Sequence, residues 1–236
     1  MSLLHFSCGI EDYLYLRPVS SGDIRIRQNT DAVVVLPNFS TTEYYYFTNF
    51  AIYYRIYLSD MSETAEISSV DSMSRINPSL ASDYSAMQTY TDSDSIGSTA
   101  IATQFRNRNY YTLELEGANI NTVLGPNALG RELGIDFSSV PGRKPTIAIN
   151  NNTYILFRST GNSDFYPMPD RYFVNTAELR SREYAENSLY NEDVEDYATG
   201  GENDYAYVNM YILLQGSENY TYFYSRPTHI GVFRLP

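Results

Sequence analysis

The chain has 236 residues, of which 43% are hydrophobic and 15% aromatic, and this composition argues for a packed globular protein and against a disordered chain. A formal net charge of -12, with Lys144 as the only lysine, argues against binding to nucleic acid or to anionic lipid through basic residues. No apolar run approaches the roughly 20 residues that a membrane-spanning helix needs.

The N-terminus carries the only cysteine of the chain, Cys8, shortly after Leu4. A leucine followed at this distance by a small residue and a cysteine resembles the end of a bacterial lipoprotein signal, in which the cysteine becomes the lipidated first residue. The alternative is a buried free thiol that packs as a small hydrophobic group. We expect residues 1–12 to be a tether or the remnant of such a signal, with Cys8 as the lipidation site.

Strands are predicted in the next part of the chain, first at 31–37 in the β-branched run "DAVVVLP". The stretch 49–59 then alternates between two kinds of side chain, which predicts a long strand of an antiparallel sheet. One face is apolar, with Phe50, Ile52, Tyr54, Ile56 and Leu58. The other face is mixed and carries Asn49, Ala51, Tyr53, Arg55, Tyr57 and Ser59.

One helix is predicted after this strand, from residue 78 to about residue 90. Asn77 suits the N-cap, and Pro78 suits the first helical position. Leu80, Tyr84 and Met87 recur at helical spacing and give one apolar stripe.

The middle of the chain is predicted to be loop-rich, with one hairpin. A strand is expected at 110–115, followed by a glycine- and proline-rich segment at 116–145. Two β-rich runs flank Asn150, Asn151 and Asn152, which predicts a hairpin with its turn at the asparagines. A further strand is expected near 170–175, and a short helix or an ordered loop at 175–189.

The C-terminal block repeats the alternation of the long strand and predicts two or three strands. Val208, Met210, Ile212 and Leu214 form its apolar face. The other face carries Tyr205, Tyr207, Asn209 and Tyr211.

The spacing of Phe47, Phe50, Ile52, Tyr54 and Arg55 is similar to that on the third strand of fibronectin type III domains. The segment "YVNMYILLQGSENYTYFYSRPTHIGVF" similarly resembles the last two strands of that fold. The resemblance implies a mainly β fold, an antiparallel fibronectin type III or immunoglobulin-like sandwich over residues 13–236. A large central insertion at about 61–200 would contain the short helix.

The two strands with tyrosine-rich faces lie in one sheet of such a sandwich, so Tyr53 and Tyr57 are expected to share a face with Tyr205, Tyr207 and Tyr211. Left open, this face would be an aromatic platform for sugar rings or protein, with Arg55 and Asn209 as polar partners. Covered, it would be a second small core beneath the predicted helix. We expect cover, because an amphipathic helix must bury its stripe.

The segments "NPSLASDY", "PDRYFVN" and "PTHIGVFRLP" give the chain a resemblance to uncharacterised spirochaetal lipoproteins. This resemblance implies a location in the cell envelope and brings no known activity.

An acidic stretch near residue 200 is a weak calcium candidate, because hard oxygen ligands surround a pair of glycines. The candidate ligands are Asp193, Glu195, Asp196, Glu202 and Asp204. The alternative is a solvated acidic loop. The segment 92–97 begins like an EF-hand loop, but Thr103 stands where the bidentate glutamate belongs, so we exclude that motif.

We expect a lipid-anchored envelope protein, on the periplasmic or extracellular face, that acts by binding or as structure without catalysis. The membrane would be contacted only through the anchor, the candidate partner is a glycan or a protein, and no nucleic acid or cofactor other than calcium is expected. The alternatives are a glycan-processing enzyme that uses paired carboxylates and a carbohydrate-binding module with a tyrosine platform. With only His5 and His229 present, no histidine-centred catalytic site is predicted.

Overall fold

The structure is a computed structural model that describes residues 16–27, 30–39, 41–59, 67, 69–91, 99–137, 145–159, 165–167, 193–195 and 205–234. Several sequence-based predictions lie outside these residues. They are the tether with Cys8, the segment 92–97, the strand and helix expected between 170 and 189, and the acidic residues Asp196, Glu202 and Asp204.

The described residues form thirteen strands and five α-helices. The strands are β1 (Ile24–Arg27), β2 (Asp31–Val35), β3 (Phe47–Ser59), β4 (Tyr111–Thr112), β5 (Glu114–Leu115), β6 (Glu132–Asp136), β7 (Thr146–Ile149), β8 (Asn152–Ser159), β9 (Phe165–Pro167), β10 (Val194–Glu195), β11 (Tyr205–Glu218), β12 (Thr221–Tyr224) and β13 (Thr228–Arg234). The helices are α1 (Thr41–Tyr46), α2 (Val70–Ile76), α3 (Pro78–Met87), α4 (Thr99–Asn107) and α5 (Ile120–Val123). None of these helices has the length and apolar character needed to cross a membrane.

The strands form two sheets, and the fold is mainly β with antiparallel pairing. The seven-stranded sheet has the order β1-β2-β6-β7-β8-β5, with β9 also paired to β8. The six-stranded sheet has the order β10-β3-β11-β12, with β13 also on β11 and β4 also on β3. The short pair β10–β3 is parallel.

The long pair β3–β11 forms the centre of the six-stranded sheet. Its antiparallel ladder runs from Tyr205 opposite Ser59 to Gly216 opposite Phe47. Both strands alternate apolar side chains with tyrosines or polar side chains, so pairing in this register gives two faces of different composition.

The apolar face of this pair packs on the seven-stranded sheet and forms the main core. Its members from the central pair include Phe50, Ile52, Tyr54, Ile56, Val208, Met210, Ile212 and Leu214. Those from the facing sheet include Ala32, Val34, Leu133, Ile135, Ile147, Ile149 and Leu156. The parity that predicted this face is confirmed for all these members of β3 and β11.

The opposite face of the central pair is covered by helices, as expected. Leu80 of α3 and Met73 and Ile76 of α2 pack with Tyr57 and Tyr207 in one cluster. Met87 of α3 and Ile101 and Phe105 of α4 pack with Tyr53 and Tyr211 in another. The helices, the six-stranded sheet and the seven-stranded sheet therefore form three layers.

Several local predictions are confirmed. Helix α3 begins at Pro78, and the Asn77 side chain caps it by accepting from Ser79 N at 2.9 Å. The hairpin β7–β8 turns at Asn150 and Asn151, which both have positive φ.

Other local predictions are wrong. Strand β6 lies within the segment predicted to be loop, where it pairs on both sides with β2 and β7. The strand expected at 110–115 is interrupted at the buried Leu113, so β4 joins one sheet and β5 the other. One short helix is expected in the middle region, but the structure has α2, α4 and α5 there in addition to α3.

Candidate functional site

The tyrosine face lies beneath the helices. Tyr53 retains 9% of its surface, Tyr207 retains 1%, and Tyr57 and Tyr211 retain none. Tyr205 stands opposite Ser59 in the ladder, and its side chain is outside the described features. The four described tyrosines form a packing layer and not an open aromatic platform.

Arg55 is buried near the centre of this layer and links three elements. Its Nη1 donates to Asp83 Oδ2 on α3 at 2.8 Å, and its Nη2 donates to Glu195 on β10. Glu195 also accepts from Ser79 Oγ at 3.0 Å. The guanidinium carbon lies 5.3 Å from the centroid of the Tyr57 ring, a cation–π contact. Arg55 thus ties β3 both to helix α3 and to the edge strand β10.

A chain of hydrogen bonds starts at Asp83. This carboxylate is buried between the guanidinium of Arg55 and that of Arg108, whose Nε lies 3.4 Å from Asp83 Oδ1. An ionised carboxylate only accepts, so the Tyr57 hydroxyl, 2.5 Å from Asp83 Oδ2, is the donor. Because the Tyr57 hydroxyl hydrogen points to Asp83, the Tyr110 hydroxyl is the donor to the Tyr57 oxygen, at 2.8 Å.

The chain continues through Asn209 to His229. The Tyr110 hydroxyl hydrogen points to Tyr57, so the Tyr110 oxygen accepts from Asn209 Nδ2 at 2.8 Å. The amide therefore presents Oδ1 to His229, whose Nε2 lies 2.7 Å away and carries the proton. In the neutral ring this leaves Nδ1 as the acceptor nitrogen.

The protonation states along this chain follow from burial. Burial raises the pKa of the Tyr57 and Tyr110 phenols well above their ordinary value, so both keep their protons and serve as donors. Burial also lowers the pKa of His229 to about 3, so its ring is neutral near pH 7.

A cleft of about 270 Å³ lies beside His229. It is bordered by the segment before β1, by the end of α3 and by the start of β13. Its walls include Val19, Ser21, Tyr84, Gln88, Arg226 and Thr228. This cleft is the concave feature into which the end of the hydrogen-bond chain leads.

A second buried ion pair lies at the edge of the main core. Asp193 has no exposed surface, and its Oδ2 accepts from Arg158 Nε at 2.8 Å and from the Tyr54 hydroxyl at 2.7 Å. Arg158 Nη2 donates to the other carboxylate oxygen. Tyr54 also accepts from the backbone N–H of Ser159 at 3.0 Å. Asp193 thereby joins β3 to β8 and precedes β10.

Two of the five candidate calcium ligands are described, and both are engaged with arginines: Asp193 with Arg158, and Glu195 with Arg55. Within the described residues no group of three or more metal-ligating side chains is assembled. The calcium site stays a prediction.

Sequence reasoning missed four members of these networks: Asp83, Tyr110, Arg158 and the bonded role of His229. A signal for Asp83 was present, because it follows Leu80 by three residues and precedes Met87 by four, and so lies on the predicted apolar stripe. A carboxylate on a buried stripe requires a cationic partner. The buried Arg55 on the facing strand is that partner.

Comparison with known proteins adds no relative: no protein-family model, curated protein or solved structure matches the chain.

Tyr57→Phe is expected to lower the free energy of unfolding by about 1–3 kcal/mol. The change keeps the ring but removes the donor to Asp83 and the acceptor for Tyr110, both of which are buried. Tyr57→Ala, which also removes the ring, should cost about 3 kcal/mol or more. Tyr222→Phe, at an exposed tyrosine, is the matched control and should change little. Denaturant unfolding of the three variants measures this, and a Tyr57→Phe variant as stable as the control would contradict the chain.

Asp193→Asn is expected to lower the free energy of unfolding by about 3–5 kcal/mol, because it leaves the buried Arg158 cation without its counter-charge. Glu132→Gln breaks the exposed ion pair with Arg25 and serves as the control, for which we expect no measurable loss. Thermal and denaturant unfolding compare the two. A loss of similar size in both variants would show that burial does not set the difference.

Proposed function

We propose that this protein is a lipid-anchored component of the cell envelope that acts by binding or as structure, without catalysis. The observation that carries the proposal is that the buried carboxylates Asp83 and Asp193 serve the fold. A glycosidase needs two carboxyl groups on either side of an open sugar site. Asp83 and Asp193 are instead buried, with their oxygens accepting from guanidinium groups and phenols of the same chain.

We place the anchor at Cys8, the only cysteine of the chain.

We also propose that β3, β11 and β13 correspond to the third, sixth and seventh strands of a fibronectin type III domain. The proposal is supported by the order of these strands, because β11 pairs antiparallel with β3 on one side and with β13 on the other. Residues 61–200 would then be an insertion that supplies the helical cover and also β5 to β9 of the seven-stranded sheet.

Addition of millimolar calcium is expected to raise the melting temperature if the acidic stretch binds the ion, since a ligand bound only by the native state stabilises it. Because Asp193 and Glu195 are engaged with arginines, we assign the main ligand role to Asp196, Glu202 and Asp204. The triple change of these residues to Asn or Gln should abolish the rise. A melting temperature that responds to neither calcium nor chelator would leave a solvated loop.

Cys8→Ala is expected to abolish lipidation in cells that produce the full precursor. The variant should lose incorporation of labelled fatty acid and move from the detergent phase to the aqueous phase in detergent extraction. Since Cys8 is the only cysteine, the label reports on one site. Ser7→Ala keeps the cysteine and is the matched control. An alanine variant that still labels and stays in the detergent phase would overturn the anchor.

A further inference from the structure

The cleft beside His229 has one wall with a fixed acceptor atom. His229 donates through Nε2 to Asn209 Oδ1, and Asn209 is held in that orientation by Tyr110. The remaining ring nitrogen, Nδ1, is therefore an acceptor. The His229 side chain is half-buried, and His229 borders the cleft.

The position of this acceptor is held from several sides. The His229 ring lies between Tyr84 and Tyr211, with centroid distances of 4.9 and 5.0 Å. The neighbouring Thr228 donates through Oγ1 to the Val19 carbonyl at 2.7 Å, which joins the start of β13 to the N-terminal segment across the cleft. The cleft is therefore formed before any ligand enters, which lowers the cost of binding.

The chemistry of the lining selects the kind of donor that Nδ1 can accept from. A cationic amine is disfavoured, because the lining includes the Arg226 guanidinium and, among the described residues, no carboxylate. The common neutral donors are the hydroxyl group and the amide N–H, and of these the hydroxyl group also matches lining side chains that both donate and accept. Ser21 and Gln88 can both donate and accept, so they suit further hydroxyl groups of the same molecule. Tyr84 and Met87 add aromatic and apolar surface.

We propose that this cleft binds a small molecule with several hydroxyl groups, of the size of one sugar ring, which donates a hydroxyl hydrogen bond to His229 Nδ1. The volume of about 270 Å³ lies just below the roughly 300–1,000 Å³ of pockets for drug-sized ligands, which favours a single ring over an oligomer. The proposal rests on the binding role proposed above and names its ligand class.

Binding is tested on the full 236-residue chain, not lipidated, in a His5→Gln background so that His229 is the only histidine. Nitrogen-15 spectra of the labelled imidazole follow Nδ1 while neutral monosaccharides, uronic acids, a linear polyol and acetate are titrated. We expect at least one sugar or sugar acid to shift the Nδ1 signal while Nε2 keeps its proton. Binding by sugar acids alone would show that Arg226 contributes through charge.

Three variants connect the signal to the cleft. Ser21→Ala and His229→Gln should each weaken the affinity for the sugar by roughly tenfold or more through loss of one hydrogen bond, as measured by calorimetry. Ser74→Ala, at an exposed position on α2, is the matched control and should bind as the parent does. Ser21→Ala and the Nδ1 signal keep the test decisive if His229→Gln does not fold.

Two results of the titration would overturn the proposal: no titrant moves the Nδ1 signal, or acetate moves it as strongly as any hydroxylated molecule does. Unchanged affinity in a folded Ser21→Ala and His229→Gln pair would also overturn it. These outcomes are independent of the anchor, because the titrated chain carries no lipid. Failure of Cys8 to be lipidated would leave the sugar result unaffected.

Discussion

The long antiparallel ladder between β3 and β11 is the constraint on which the other layers depend. It pairs two of the longest strands in the described chain, so a shift of one residue would exchange the faces of the moving strand. In the observed register Phe50, Ile52 and Ile56 of β3 pack towards the seven-stranded sheet. Tyr57 stands opposite Tyr207 on the other side. Because both faces of this pair are then too apolar for water, each needs cover. The second sheet supplies one cover, and helices α2, α3 and α4 supply the other.

Use of tyrosine in the covered face has a cost that shapes the polar network. Burial of a phenol without a partner for its hydroxyl group is costly, and the apolar stripe of a helix offers no such partner. The Asp83 carboxylate accepts from the Tyr57 hydroxyl group, and the Arg55 guanidinium balances the negative charge of the buried Asp83. Buried ion pairs add little net stability relative to well-packed apolar residues, but removal of one partner is costly. The pair between Arg55 and Asp83 therefore fixes where α3 sits on the sheet more than it strengthens the contact.

Alternation was the most informative feature of the sequence. It assigned the inner faces of β3 and β11, and the cap at Asn77 located the start of α3. Strand β6 was missed because it is short and lies in a segment rich in glycine and proline, and because its pairing with β2 joins segments far apart in the chain. The break between β4 and β5 was missed for a similar reason, since Leu113 is buried where the chain passes between the sheets. The polar network joins residues from β3, α3, β11 and β13. A local sequence pattern cannot indicate these contacts, because they are made between different elements of the folded chain.

The direction of the hydrogen bonds links the ion pair to the cleft. Each hydroxyl group has one hydrogen to donate, and the Asp83 carboxylate can only accept, so Tyr57 donates to Asp83. The direction of every later bond follows: Tyr110 donates to Tyr57, Asn209 donates to Tyr110, and His229 donates to Asn209. A side chain at position 83 that could both donate and accept would let the Tyr57 hydroxyl donate either to it or to Tyr110. His229 would then no longer be held in a single tautomer. Which nitrogen of His229 is the acceptor is therefore specified by the charge of Asp83, which lies on α3. The same residues that hold the helices on the sheet also decide what the cleft presents to a ligand.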